Sequence, residues 1–383
     1  MLFELTEEEL LIRDTARKMA AEIAAPLAPV LDRGEGRAQF LENLKAFAEA
    51  GFMAVNVKGE FGGTEAGTAA FALAIEELGY ACAATGVTAS VTNMVAEVIQ
   101  AVGTEAQKRA YIPNIADGTY PAAGFCLTES GAGSDPAGMK TRARRDGADF
   151  VLDGEKIYIT SAEYAGLFVV WAVTNPEAPK GKGISCFLVE AGTPGLSIGK
   201  AERKLGQHGS ATNTVHFDGC RVPASALMGR LDDGFRIAVG ELAGGRIGVA
   251  ALSLGIARAA MDAAKTYVKE RRQFGQAIAD FQGIQWMVAD RETELEAARL
   301  LILSAAAKKD RGEPFGREAS MAKLFASEAA GRATDTALQL HGGAGYCADY
   351  PVERHVRDAR ITRIYEGTSE VQRLIIARDS FRQ

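Results

Sequence analysis

Over residues 1–120 the apolar positions recur every three or four residues and are interrupted by Gly and Pro, which predicts helices and short loops. Thr6 and Glu9 have capping-box spacing, and Leu10, Leu11, Met19, Ala20 and Ile23 then form one apolar face as far as Pro26. Phe40, Leu44 and Phe47 predict a second helix that Gly51 stops. A third covers 71–78 and is stopped by Gly79, and a fourth covers 90–102. Thr104 with Gln107 caps a fifth, which runs toward Ile115 and ends at Asp117-Gly118. At Tyr120-Pro121 the period shortens to about two and stays so to about residue 235. Residues 150–159 read as a hairpin turning on Asp153-Gly154, and 167–173, 184–189 and 213–217 as further strands. Helical spacing returns near Gly234 in four segments, 246–268, 280–309, 317–340 and 351–378, joined by short connections as in an antiparallel bundle. The expected fold is α+β and multidomain. It has an N-terminal helical domain over 1–120, a middle β-barrel or sandwich domain over 121–233 and a C-terminal four-helix bundle over 234–383.

Charge removes some classes of function. A net charge of −6 offers no basic surface for nucleic acid, and no run of 18 apolar residues suggests a membrane span. The N-terminal stretch, Met1 to Glu9, is acidic. It is expected to be neither a secretory signal nor an Arg-rich transit peptide, so a cytoplasmic chain is expected, or a mitochondrial matrix one if the chain is a mature eukaryotic product. Five Cys without a C-x-x-C pair read as reduced, mostly buried thiols, and four His at scattered positions give no metal spacing.

The candidate chemistry gathers near the C-terminus. Residues 360–372 read as a helix, a tight loop carrying Glu366 and Gly367, and a second helix whose start is marked by Ser369 and Gln372 in capping-box spacing. A carboxylate on a short loop at the positive end of a helix is a candidate base, or else a solvated loop residue. The segment 125–135 combines hydroxyls, backbone donors and glycines. It is able to wrap a polar heteroaromatic ring or to be an ordinary Gly/Ser loop. Tyr158, Thr160 and Ser161 put an aromatic face and hydroxyls at a strand end. Arg271-Arg272, followed by Phe274-Gly275, would suit a diphosphate or be solvated. Gln339 to Gly343 ends a helix. Gly244, Gly245 and Gly248 around Arg246 each cost a helix about 1 kcal/mol against Ala, which implies close approach by another helix or by a ligand. Three motif matches fail on context. The G-x-S-x-G at 195–199 runs on into β pattern. The glycines at 343–348 follow a helix rather than a strand, and 131–136 lacks the third Gly of a dinucleotide fingerprint.

Taken together, these stretches resemble the acyl-CoA dehydrogenase family over nearly the whole chain. The L-T-E-x-G-x-G-S-D loop, R-x-x-F-G followed by Gln, Q-x-x-G-G-x-G-Y, P-x-E-R-x-x-R-D and I-Y-E-G-T-S-E-x-Q stand in family order. The resemblance implies non-covalent FAD between the β domain and the bundle, with Leu127, Thr128, Ser134, Tyr158, Thr160 and Ser161 at the flavin. It implies Arg271, Phe274 and Gln282 with Gln339, Gly342 and Gly343 at the ADP half across a subunit boundary, and Thr368 and Glu370 also meeting the cofactor. Ser134, Arg246 and Gly367 would contact the acyl-CoA, and Glu366 would remove the α-proton while the flavin takes a hydride from the β-carbon. The thioester carbonyl would be polarised by the Glu366 backbone N–H and a ribityl hydroxyl. Homotetramers and an electron-transfer flavoprotein as acceptor are implied as well.

Two departures and three alternatives accompany the resemblance. Tyr158 stands where the family usually has Trp, and Ala243 where relatives often carry an acidic residue. Relatives of the isovaleryl type carry the base at the position of Gly245, which has no side chain to serve. A short- to medium-chain acyl-CoA is therefore the expected substrate, with a branched-chain acyl-CoA as the alternative. A flavin oxidase of this fold is expected to be longer. A DNA-associated flavoprotein of this fold is expected to carry a basic C-terminal region, unlike Phe381-Arg382-Gln383. Acyl length would depend on positions such as Val91, Val95 and Leu242.

Overall fold

A computed structural model describes residues 4–381; the first three residues of the acidic N-terminal stretch and the last two of the chain lie outside the described residues. Both capping boxes predicted in the N-terminal region close. The Thr6 N–H donates to Glu9 Oε2 at 2.7 Å and the Glu9 N–H to Thr6 Oγ1 at 3.2 Å, and Thr104 and Gln107 repeat the pair. The helical region comprises α1 (Glu7–Met19), α2 (Ala28–Asp32), α3 (Arg37–Glu49), α4 (Gly67–Ala81), α5 (Ala83–Val102) and α6 (Glu105–Ala116). Two expectations fail in it. Gly79 does not stop α4, which runs on to Ala81, because the glycine makes room for the helix over 234–270: a Cβ there would lie 2.8 Å from Leu252 Cδ1. The fourth helix begins at Ala83 rather than Ser90, since residues 83–96 are buried all round and give no amphipathic stripe to read.

The strands follow: β1 (Ala122–Cys126), β2 (Arg142–Asp146), β3 (Asp149–Thr160), β4 (Ala165–Val173), β5 (Ile184–Glu190), β6 (Leu196–Ala201), β7 (Thr212–Pro223) and β8 (Leu227–Met228). They form one sheet in the order β6-β7-β3-β2-β4-β5-β8, with β1 parallel to β4. Strand β4 is buried on both faces. Leu167, Val169 and Trp171 pack toward Ile99, Ile112 and Ile115 of the helices, while Phe168, Val170 and Ala172 meet Phe150, Leu152, Val215 and Phe217 inside the β region. That explains its unbroken apolar run. The expected hairpin at Asp153-Gly154 is not there. β3 passes straight through, with Gly154 at φ 142 in a register shift against β7, and the turn lies at Gly147, φ 63, between β2 and β3. A Cβ on Gly154 would stand 2.7 Å from Thr141 Cα, so the glycine marks close backbone approach and not a turn.

The bundle consists of α7 (Gly234–Glu270), the short ribbon β9 (Arg272–Gln273) and β10 (Gln276–Ala277), α8 (Gln282–Asp310), α9 (Gly316–His341), α10 (Val352–Arg360) and α11 (Ser369–Ser380). Helix α7 starts twelve residues before the expected 246, and it packs on α9, α8, α4 and α5. It is long and apolar enough to cross a membrane, yet 83% of its most apolar window is buried inside the protein. Cys82, Cys126, Cys186 and Cys220 are buried, and Cys347 is exposed.

Candidate active site

A cleft of about 320 Å³ opens where α5, α7, the ends of β1 and β3, and the loop before α11 converge. Its walls carry Leu127, Thr128, Ser134, Tyr158, Thr160, Arg246, Glu366 and Gly367 of the residues singled out in the sequence. Val91 and Leu242 also line it. Val95 does not: it is wholly buried in the core between α5 and the sheet.

Glu366 sits at φ 53 and Gly367 at φ 96, so the loop turns through two successive left-handed residues. Gln372 Nε2 donates to both of its carbonyls, Glu366 O at 3.2 Å and Gly367 O at 2.8 Å. This corrects the expected cap. The N-cap of α11 is Thr368, whose Oγ1 accepts from Val371 N at 3.4 Å, because Gln372 is engaged by the loop and Ser369 Oγ donates to Glu328 Oε1 at 2.7 Å. The Glu366 side chain is partly buried, and its Oε2 is buried without a hydrogen-bond partner among the described residues. Burial pushes its carboxyl up to about 7, against the opposing pull of Lys323 and then Arg246. Arg246 is 7% exposed. Its Nη1 reaches Ser320 Oγ only at 3.5 Å and its Nε is buried without a partner. A carboxylate and a guanidinium thus face a cleft with donors and acceptors unspent, although buried polar groups are ordinarily paired.

The opposite wall is built by β3 and the loop after β1. A register shift between Lys156 and Ile159 puts Tyr158 at φ 58 and leaves its ring 63% exposed to the cleft. The Ile157 N–H donates to Thr128 O at 2.9 Å, and the buried Lys156 Nζ donates to Leu127 O at 3.2 Å and to Glu129 Oε1 at 2.7 Å, which ties the loop to the strand. Glu129 also accepts the backbone N–H groups of Lys140 and Thr141. Lys156 and Glu129 escaped the sequence reading, because a Lys and a Glu in strand and loop read as surface. Lys156→Met leaves Glu129 buried and unpaired. It is expected to lower stability by about 3–5 kcal/mol in denaturant unfolding, with most of the loss recovered when Glu129 is also made apolar.

The hydroxyls of Thr128, Ser134 and Thr160, the free face of Tyr158 and the open space beside Gly131 and Gly133 fit a planar polar ring lying against β3. Ser161, at φ 67, is wholly buried behind this wall with its Oγ unpartnered. The remaining expected residues lie outside the cleft. Arg271 caps the end of α7, Phe274 is 93% exposed on the β9–β10 turn, Gln282 begins α8, Gln339 lies in the last turn of α9, and Gly342 and Gly343 open the 3-10 turn after it. Thr368 and Glu370 begin α11. The sequence reading missed the apolar lining supplied by Val87, Met94, Phe235 and Val239, which reads as plain core.

Three family models match the chain, described as the N-terminal domain (6–119), the middle domain (124–220) and the C-terminal domain (232–381) of acyl-CoA dehydrogenase. A short-chain specific acyl-CoA dehydrogenase of Clostridium acetobutylicum is 43% identical, with all of both chains covered. An acryloyl-CoA reductase (NADH) of Anaerotignum propionicum is 45% identical over 99% of this chain and 96% of its own. The solved butyryl-CoA dehydrogenase of Megasphaera elsdenii superposes with a TM-score of 0.96 at 38% identity, with both chains fully covered.

Proposed function

We propose, for a chain that belongs to the acyl-CoA dehydrogenase family, that the substrate is a short straight-chain acyl-CoA and that Glu366 is the base. The family sets the reaction: FAD-dependent removal of hydrogen from the α and β carbons of an acyl-CoA thioester, giving the 2-enoyl-CoA. When bound, FAD supplies the acceptor for the β-hydride. In this reading Leu127, Thr128, Ser134, Tyr158, Thr160 and Ser161 hold its ring. Arg271, Phe274 and Gln282, with Gln339, Gly342 and Gly343, hold its diphosphate and adenosine from a neighbouring copy, and Thr368 and Glu370 approach it from the α11 end.

Glu366 accepts the α-proton. Its left-handed backbone turns the loop so that the carboxylate faces Gly245 of α7, where the missing side chain leaves space. The backbone N–H of Glu366 has no acceptor among the described residues, which suits it to polarise the thioester carbonyl. Ser134, Arg246 and Gly367 bind the acyl-CoA, with the unspent guanidinium of Arg246 as the buried donor.

The observation that carries the short-chain reading is the change of wall chemistry beyond the apolar lining. Val87, Val91, Met94 and Leu242 bound the cleft. One turn further along α5, and next to Leu242 on α7, Glu97, paired with Lys309, and Glu241 line a separate cavity. A longer apolar tail would have to desolvate these charges. Gly245 removes the helix-borne base of isovaleryl-type relatives and so disfavours the branched reading. The test is anaerobic bleaching of the bound flavin with butyryl-, hexanoyl-, octanoyl-, palmitoyl- and isovaleryl-CoA. Butyryl- or hexanoyl-CoA is expected to bleach fastest, and a maximum at palmitoyl- or isovaleryl-CoA would overturn the reading. A homotetramer is supported by Phe274, Trp286 and Tyr346, which are 93%, 63% and 85% exposed on the bundle. An electron-transfer flavoprotein is the acceptor in this reading.

A further inference from the structure

We propose that Lys323 is a positioning residue that fixes the Glu366 loop through the Gly367 carbonyl and, with its positive charge, favours the ionised form of the base. The proposal rests on the reading of Glu366 as the base. Lys323 lies on α9, is wholly buried, and donates from Nζ to Gly367 O at 2.9 Å. A buried ammonium is costly unless paired, yet no carboxylate among the described residues comes within ion-pair distance of it. The charged groups facing it are Glu366, Arg246, Glu328 and Glu370, with Glu366 the strongest. Glu328 is engaged by Ser369 Oγ and lies 3.6 Å from Arg363, and Glu370 is exposed on the first turn of α11. Burial disfavours the ammonium and Arg246 does so too, and among the carboxylates facing it Glu366 does most to favour its charged form.

The relation holds from the other side. Glu366 is faced by Lys323 from α9, by Arg246 and Glu241 from α7, and by the adjoining Tyr365. Of the two cations, Lys323 acts on it more strongly than Arg246. The Gly367 carbonyl is gripped by two donors, Lys323 Nζ and Gln372 Nε2, immediately after the left-handed Glu366. Lys323 thus acts twice, once on the backbone that aims the carboxylate and once on its charge.

The two actions separate in variants. Lys323→Gln retains a donor and removes the charge, and Lys323→Met removes both. In the FAD-loaded enzyme, the acid limb of the kcat/KM profile is expected to move up by about one pH unit in Lys323→Gln, which is roughly a tenfold loss at fixed pH below the limb. A further fall in pH-independent kcat is expected in Lys323→Met. Infrared titration of the Glu366 carboxyl C=O stretch, identified by its loss in Glu366→Gln, is expected to move in parallel. An unmoved limb and stretch in Lys323→Gln overturn the proposal, also where Lys323→Met does not fold. If Glu366→Gln itself turns over normally, the reading of the base has failed instead.

Discussion

Glu366→Gln is expected to fold, bind FAD and lose about a hundred- to ten-thousandfold in turnover, the range that a positioned general base supplies. The amide is nearly isosteric, so the loop held by Gln372 and Lys323 stays in place and only the proton acceptor is gone. In the unmodified enzyme the base works only when ionised. With its carboxyl raised to about 7, kcat/KM is expected to climb as pH rises through that value and then level off. The sign for stability is opposite. The folded protein holds this proton more tightly than the unfolded chain, so the group's stabilisation is complete below 4.5 and is lost as pH rises through about 7. Steady-state rates over this range, beside melting curves of the substrate-free protein, check both signs. A variant with near-normal turnover would falsify the assignment.

The second large effect is expected at Gly245. An Ala Cβ there would stand 2.3 Å from Glu366 Oε2, 3.0 Å from Glu366 Cδ and 2.6 Å from Met94 Sδ. All three belong to side chains able to move, so the fold adapts and the carboxylate is displaced. Misplacement by about 1 Å costs on the order of a hundredfold in rate, whereas Gly to Ala inside a helix gains roughly 0.5–1 kcal/mol. Gly245→Ala should therefore be slower by about two orders of magnitude and no less stable, as read by stopped-flow bleaching and thermal melting. Gly244→Ala is the control. Its Cβ would meet Lys309 Nζ at 3.2 Å and Glu241 Oε1 at 3.7 Å, away from the base, and turnover should stay within a few-fold of normal.

The glycines of α7 show how far the sequence could be read. Spacing alone implied close approach by a helix or by a ligand. Gly248 answers the first, with a Cβ position 2.3 Å from Ser90 Oγ on α5, and Gly245 opens onto Glu366 in the cleft. The helical ends of the chain, the central strands and the carboxylate loop were legible because each rests on local rules of period, cap and turn. The Asp153-Gly154 hairpin was misread because the same dipeptide serves a register shift where β7 is long enough to carry β3 onward. The Ser369 cap was misread because capping-box spacing does not reveal that Glu328, distant in sequence, claims the hydroxyl. Lys323 was invisible. A lysine on an Ala-rich helix reads as solvent-facing until the loop that covers it is known.

Helix α7 divides along its length. From Phe235 to Leu242 only Ile237 and Ala238 are buried, and Phe235, Val239 and Leu242 border the cleft, while from Gly244 to Ala257 every residue is buried. The apolar lining of the cleft and the buried stretch that carries Gly245 and Arg246 thus follow one another along one element. Exchanging the first stretch reshapes the apolar lining and leaves Gly245 and Arg246 in place.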